Sequence, residues 1–215
     1  MKIKWTLMML IIVCLLVANE KNQLARLHYS GGGDWYNDAD ALPNLASYLN
    51  NTLGTDFAIE EATVVLTEKE LFNYPFIFLT GHGNVKFSEK EVNNLREYLL
   101  RGGFLFVDDD YGMDASFRRE IKKIFPEKKM VELPKNHEIF HAYFSFPNGL
   151  PKIHKHDDKR PQTFAIFDDN SRMMMLYTYE SNISDGWSDA HDNPPKIKEN
   201  AFKMGTNIFY YLMAK

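Results

Sequence analysis

The spacing of apolar residues changes several times along this chain, and each change marks an element. Leu24 to Ser30 reads as a strand that runs into Gly31-Gly32-Gly33-Asp34-Trp35-Tyr36. From Ala41 to Leu53 the residues Leu42, Leu45, Ala46, Leu49 and Leu53 recur at helical spacing, with Pro43 tolerable in a first turn. Phe57 to Thr67 holds a β-branched second strand centred on Val64-Val65-Leu66. The unbroken run Phe76-Ile77-Phe78-Leu79 within Pro75–Thr80 suits a third strand buried on both faces. Ser88 and Glu91 have the S-x-x-E spacing of a capping box, Val92, Leu95 and Leu99 make one helical face, and Gly102 stops that helix. Phe104 to Val107 is a fourth strand.

Strand, helix and strand in that order form a βαβ unit, so the sheet is predicted to be mostly parallel. Asp114 is placed to cap the next helix, whose buried face is Phe117, Ile121, Ile124 and Phe125 and which Pro126 ends. Met130 to Leu133 is a short fifth strand. Thr163–Phe167 and Met173–Tyr179, joined by Asp168-Asp169-Asn170-Ser171, read as a β-hairpin, and Pro195 opens a last helix. The expected fold class is α/β, with a central mostly parallel sheet plus a C-terminal β-hairpin and helix.

The first nineteen residues have a different composition. Lys2 and Lys4 precede an apolar run from Trp5 to Ala18, a positive n-region before an h-region. The run is shorter than the ~20 residues of a membrane-spanning helix. Residues 1–19 are therefore expected to be a cleaved signal peptide, with an uncleaved N-terminal anchor as the alternative, and residues 20–215 a single α/β domain. The expected location is periplasmic or extracellular. Cys14 is the sole cysteine, so a mature chain has no disulfide, no thiolate metal site and no cysteine nucleophile. Val13 before it argues against lipid attachment, which needs a small residue there. With 25 Lys+Arg against 29 Asp+Glu, the net charge of −4 gives no footprint for nucleic acid. Arg118, Arg119, Lys122 and Lys123 accordingly read as a solvated helix face.

Candidate chemistry gathers in three loops that follow predicted parallel strands, and such loops share one edge of the sheet. The first holds Gly31, Gly32 and Gly33, which permit a sharp turn with exposed N–H groups, and then Asp34, Trp35 and Tyr36, an acid and two flat surfaces suited to a sugar or peptide. The G-x-G-x-x-G dinucleotide pattern is absent. The second is Gly81-His82-Gly83, an imidazole on a glycine-flanked turn. The third is Asp108-Asp109-Asp110-Tyr111-Gly112. Three adjacent carboxylates at the end of a buried strand need compensation by a cation, by backbone N–H groups or by protonation; the bland alternative is that they cap backbone. Asp185-Gly186-Trp187 and His191 form a later acid–aromatic cluster. His154, His156, Asp157 and Asp158 have chelating side chains but lie in a charged loop, read as surface.

The stretches SGGGDWYND, YPFIFLTGHG, FSEKEVNNLREYLLRGG, FLFVDDDYG, HEIFHAYF and SDGW resemble a bacterial family known as domain of unknown function 4159. That family looks like a branch of the class I glutamine-amidotransferase-like superfamily. The resemblance implies a flavodoxin-like three-layer sandwich, and it implies export or membrane attachment. It also implies that Thr80-Gly81-His82-Gly83 lies where an oxyanion loop would be and that Asp110 stands near the nucleophilic cysteine's place. Glutamine hydrolysis through a thioester is then excluded, because a carboxylate cannot form one.

Three functional readings follow. In the first, the strand-end edge binds a small polar molecule, a glycan or a partner protein without catalysis. In the second, the chain is a metal-assisted or carboxylate-based hydrolase using Asp108–Asp110 with His82. In the third, it is a structural component of an envelope assembly. The expected catalytic pair is His82 and Asp110. The expected ligand-binding residues are Gly32, Gly33, Asp34, Trp35, Tyr36, Gly81, Gly83, Asp108, Asp109, Tyr111, Gly112 and Trp187. No cofactor is expected, no metal ligand is assigned, and membrane contact is expected only through an uncleaved leader.

Overall fold

Seven strands of the computed structural model, which describes residues 22–156 and 158–214, form one sheet in the order β2-β1-β3-β4-β7-β6-β5. The strands are β1 (Ala25–His28), β2 (Ala62–Val65), β3 (Phe76–Leu79), β4 (Phe104–Asp108), β5 (Val131–Glu132), β6 (Gln162–Phe167) and β7 (Met173–Tyr179). The first four and β7 run parallel, while β6 is antiparallel to both β7 and β5. The predicted hairpin is therefore real, and its return strand adds a fifth parallel member beside β4. The leader, Cys14 and Asp157 lie outside the described residues.

Among the described residues four α-helices cover the sheet: α1 (Ala41–Leu53), α2 (Glu89–Leu100), α3 (Asp114–Ile124) and α4 (Pro195–Met213). Side chains of a strand alternate faces, so each strand feeds two cores. Phe76, Phe78, Phe104 and Phe106 join α1 and α4 on one face, and Ile77, Leu79, Leu105 and Val107 join α2 and α3 on the other. One face is thus built on stacked rings, with Phe78 and Phe106 at 5.5 Å between centroids, and the other on aliphatic side chains. The result is a mostly parallel three-layer α/β sandwich of flavodoxin-like form.

Local chemistry fixes the helix ends. Ser88 and Glu91 form the predicted capping box on α2. Asp114 differs from expectation. It sits inside the first turn of α3 and bonds Arg118 and Tyr177, while the carboxylate of Asp109 accepts the N–H of Met113 at that helix start. Asp109 precedes the helix, whereas Asp114 is its first residue and is already committed to the neighbouring Arg118. Arg119 and Lys123 are half-exposed, and both reach down to pair with the buried carboxylate of Glu120, which also accepts the N–H of Phe87.

Candidate functional site

Parallel strands end at a common edge, and four of their loops meet there. Main-chain bonds tie the first two together: Asn84 O accepts from Gly33 N at 3.1 Å, and His82 O accepts from Asp34 N at 3.3 Å. A parallel bridge between His82 and Tyr111 joins the second to the third. Close approach explains two of the glycines. A Cβ on Gly33 would lie 2.7 Å from His82 O, and one on Gly81, where φ is +129°, would lie 2.9 Å from Asp34 O. The glycines Gly33 and Gly81 serve packing between loops, and the Gly33 N–H is already bonded. Beneath them Arg26 is fully buried and donates to Glu61 and to the carbonyls of Trp35, Asn37 and Asp38. That cation anchors the loop after β1.

The three consecutive aspartates have three different fates. Asp108 accepts from Ser184 N and Oγ at 2.7 Å each and from Thr178 Oγ1 at 2.5 Å, so its oxygens are committed inside the protein. Burial still pushes its carboxyl up to about 6. Asp109 caps α3, and burial pushes it to about 7. Asp110 turns toward the edge and contacts Asn37, Asn182 and His82.

Around Asp110 the remaining acids and imidazoles close in. His82 Nδ1 lies 3.0 Å from Asp34 Oδ2 and 3.4 Å from Asp110 Oδ2, and the other oxygen of Asp34 accepts the His82 backbone N–H. This arrangement puts the ring proton on Nδ1 and leaves Nε2 for a ligand. Burial draws the His82 pKa down, but the Asp110 charge and the Asp34 hydrogen bond outweigh it and hold it above its ordinary value. The carboxyls of Asp110 and Asp185 are buried beside one another, and burial raises each to about 7. Asp185 Oδ2 lies 2.8 Å from His154 Nδ1, and His191 Nε2 lies 2.7 Å from Asp38 Oδ1.

Of the residues expected from sequence, Asp34, His82 and Asp110 come together in direct contact. Tyr36 and Tyr111 stand exposed, and Tyr111 stacks on His156 at 4.4 Å. Trp35 is half-buried and stacks on His28 at 4.2 Å. Gly32, Gly83 and Gly112 occupy positive-φ turns in the same three loops. Asp108 and Asp109 point away from the edge for the reasons above. Trp187 corrects the expectation of a ligand contact: it has no exposed surface, packs on Phe78 and Phe106 at 5.9 Å each, and donates its indole N–H to Ala201 O. Its large apolar ring is worth more in the core than at a polar edge.

Sequence reasoning missed Asn37, Asp38 and Asn182, noted Asp185 and His191 only as a separate later cluster, and assigned His154 and His156 to the surface. Asn37 and Asp38 close the loop after β1, Asn182 and Asp185 lie in the loop after β7, and His154 and His156 belong to the connection that precedes β6; no local spacing ties the last two segments to the β4 loop. The one available signal was SDGW, where the acid turns to the edge and the aromatic to the core.

A cavity of about 1050 Å³ lies elsewhere, at the opposite ends of the strands among Leu24, Phe57, Phe76, Phe104, Phe209 and Tyr211. Its walls are mainly apolar and hold no cluster of acids and imidazoles. The acids and imidazoles gather at the other edge. Among the described residues no helix is long and apolar enough to cross a membrane. No curated protein matches the chain. A family model described as a domain of unknown function (DUF4159) matches residues 23–213, nearly all of the described chain, and the protein belongs to that family.

Proposed function

We propose that this edge binds a small, polar, uncharged or cationic ligand, a sugar being the best fit, and hydrolyses it with His82 as the acid–base group. The observation that carries the reading is the Asp34–His82–Asp110 contact, which orients the imidazole and leaves Nε2 facing outward. In the reaction, Nε2 removes a proton from water as the water oxygen bonds the electrophilic carbon. The proton then passes to the leaving group as its bond to that carbon breaks. Asp34 and Asp110 stabilise the imidazolium between the two steps. Asp108 and Asp109 take no part, because hydrogen bonds inside the fold engage them. The concentration of carboxylates disfavours anionic substrates.

Binding without turnover is the second reading, and the exposed rings of Tyr36 and Tyr111 favour it, since flat aromatic surfaces stack on sugars. We also place the fold beside the amidotransferase-like superfamily. The turn Thr80–Gly83 and Asp110, on neighbouring parallel strands, support that placement, and thioester chemistry is absent from it. Export follows from the basic and apolar character of residues 1–19, which we take as a leader. The experiment is a screen of glycans and chromogenic glycoside and amide substrates with the wild type and His82→Gln. Turnover lost in the variant supports the hydrolase. Equal ligand binding in both proteins without turnover supports the binding reading. Turnover unaffected by the substitution overturns the assigned role of His82.

A further inference from the structure

We infer that Asp38, Asp185 and His191 form a binding site for a divalent first-row transition metal, deeper in the edge than His82. One ligand atom from each of the three lies within 4.8 Å of the others. Two of the separations are 2.7 Å, from Asp38 Oδ1 to His191 Nε2, and 3.6 Å, from His191 Nε2 to Asp185 Oδ1. Donors about 2.1 Å from a common zinc-like ion stand roughly 3.0–3.4 Å apart, so the observed spacings bracket the requirement.

An independent observation points the same way. Asp185 is 1% exposed, and its Oδ1 is buried with no hydrogen-bond partner while facing His191. A buried carboxylate oxygen left unpaired forfeits its hydration without replacement, so the site lacks one partner. Asp38 and Asp108 crowd the same carboxylate with like charge, and among the described residues Lys and Arg donate no hydrogen bond to any oxygen of Asp110 or Asp185. A dication supplies both the missing partner and the missing charge.

The donor set selects the class of metal. Two carboxylates and one imidazole suit zinc, manganese or iron(II) rather than calcium, which takes six to eight oxygens. On binding, His191 carries its proton on Nδ1 and gives the Nε2 lone pair to the ion. The partners of an outer shell are in place. His154 Nδ1 bonds the second oxygen of Asp185 at 2.8 Å, and Asn37 Nδ2 bonds Asp38 Oδ2 at 3.1 Å. Arg26 bonds the Asp38 carbonyl at 2.9 Å and holds that residue in its left-handed conformation, with φ of +52°. This site stands whether or not the edge turns over a substrate, because its readout is metal binding alone.

The test uses the full chain, stripped with chelator and titrated calorimetrically with Zn²⁺, Mn²⁺ and Ca²⁺, with the absorption spectrum of the Co²⁺ form read in parallel. The expected result is one equivalent of transition metal, not displaced by Ca²⁺. Asp185→Asn and His191→Ala are each expected to weaken it by more than about 100-fold, beyond the roughly 10–100-fold typical of an outer partner such as His154. Asp158→Asn, an exposed control, is expected to bind like wild type. Thermal melts check that the variants fold, and His191→Ala, at a partly exposed position, decides the matter if Asp185→Asn does not. Absence of stoichiometric transition metal in the wild type overturns the site, as does undiminished binding in folded His191→Ala.

Discussion

The two ends of the parallel strands are built from opposite materials. At their starts, Phe76, Phe104 and Phe209 border a mainly apolar cavity of about 1050 Å³. At their ends, Asp34, Asp38, Asp110 and Asp185 meet four imidazoles in a much tighter space. The first offers room, and the second gathers the acids and imidazoles. The difference teaches that room is cheap where side chains are apolar and the fold ends. Concentrated like charge requires many fixed partners, so it persists only where the fold supplies them. The apolar end stabilises the protein, and the acidic end is maintained at some cost to stability.

Substitutions at the two ends therefore break this comparison in different ways. The largest effect is expected for Arg26→Ala. Removing a buried guanidinium that serves Glu61 and three carbonyls should cost about 3–5 kcal/mol in urea unfolding and also loosen the loop bearing Asp34 and Asp38. A loss below about 1 kcal/mol would show that the loop holds itself. Phe209→Ala, at the apolar end, should cost about 3 kcal/mol by cavity formation and leave metal and ligand affinity as in the wild type. A parallel loss of affinity would mean that the two ends are coupled through the sheet.

A smaller effect sharpens the idea that acids are held at a cost. Asp109 has a folded pKa of about 7, above its unfolded value near 3.9, because it is buried. The folded chain keeps a proton that the unfolded chain releases. Its contribution to stability is therefore complete below about pH 4 and is lost as pH rises through 7. Asp109→Asn keeps an acceptor for Met113 N and removes the titration, so it should flatten the decline and leave the protein about 2 kcal/mol more stable at pH 8 than the wild type. Thermal melts from pH 4 to 8 read this directly; identical pH profiles would contradict it. The smallest effect on stability is expected for His82→Gln, within about 0.5 kcal/mol because the ring is half-exposed, while ligand binding or turnover changes strongly. A large loss of stability there would recast His82 as a structural tie between loops.

Much of this architecture was legible in the chain. The capping box at Ser88, the apolar run at Phe76–Leu79 and the turn at Asp168–Ser171 are short-range signals, and each led to the element observed. The same holds for three of the four loops at the edge, because a βαβ unit fixes where its strands end. The fourth loop was not legible. It reaches the site only because β7 returns from the hairpin to lie parallel to β4, and no residue near Asp185 announces that pairing. Asp114 and Trp187 show the same limit on a smaller scale. An acid before a helix reads as a cap and an aromatic in a loop reads as a contact, until a neighbouring Arg118 or a bed of phenylalanines gives each a better use.

The sequence by itself determined the α/β class, the order of elements, and the choice of His82 and Asp110 as candidate chemistry, because periodicity and turn residues act over a few positions. Only the tertiary structure decided which of three adjacent aspartates faces the edge, and that Asp38, Asp185 and His191 converge beside it. Those outcomes depend on burial and on partners more than seventy residues away, such as Asn182 for Asp110 and Ser184 for Asp108. A carboxylate's role is set by what surrounds it in space, and local spacing carries no record of that.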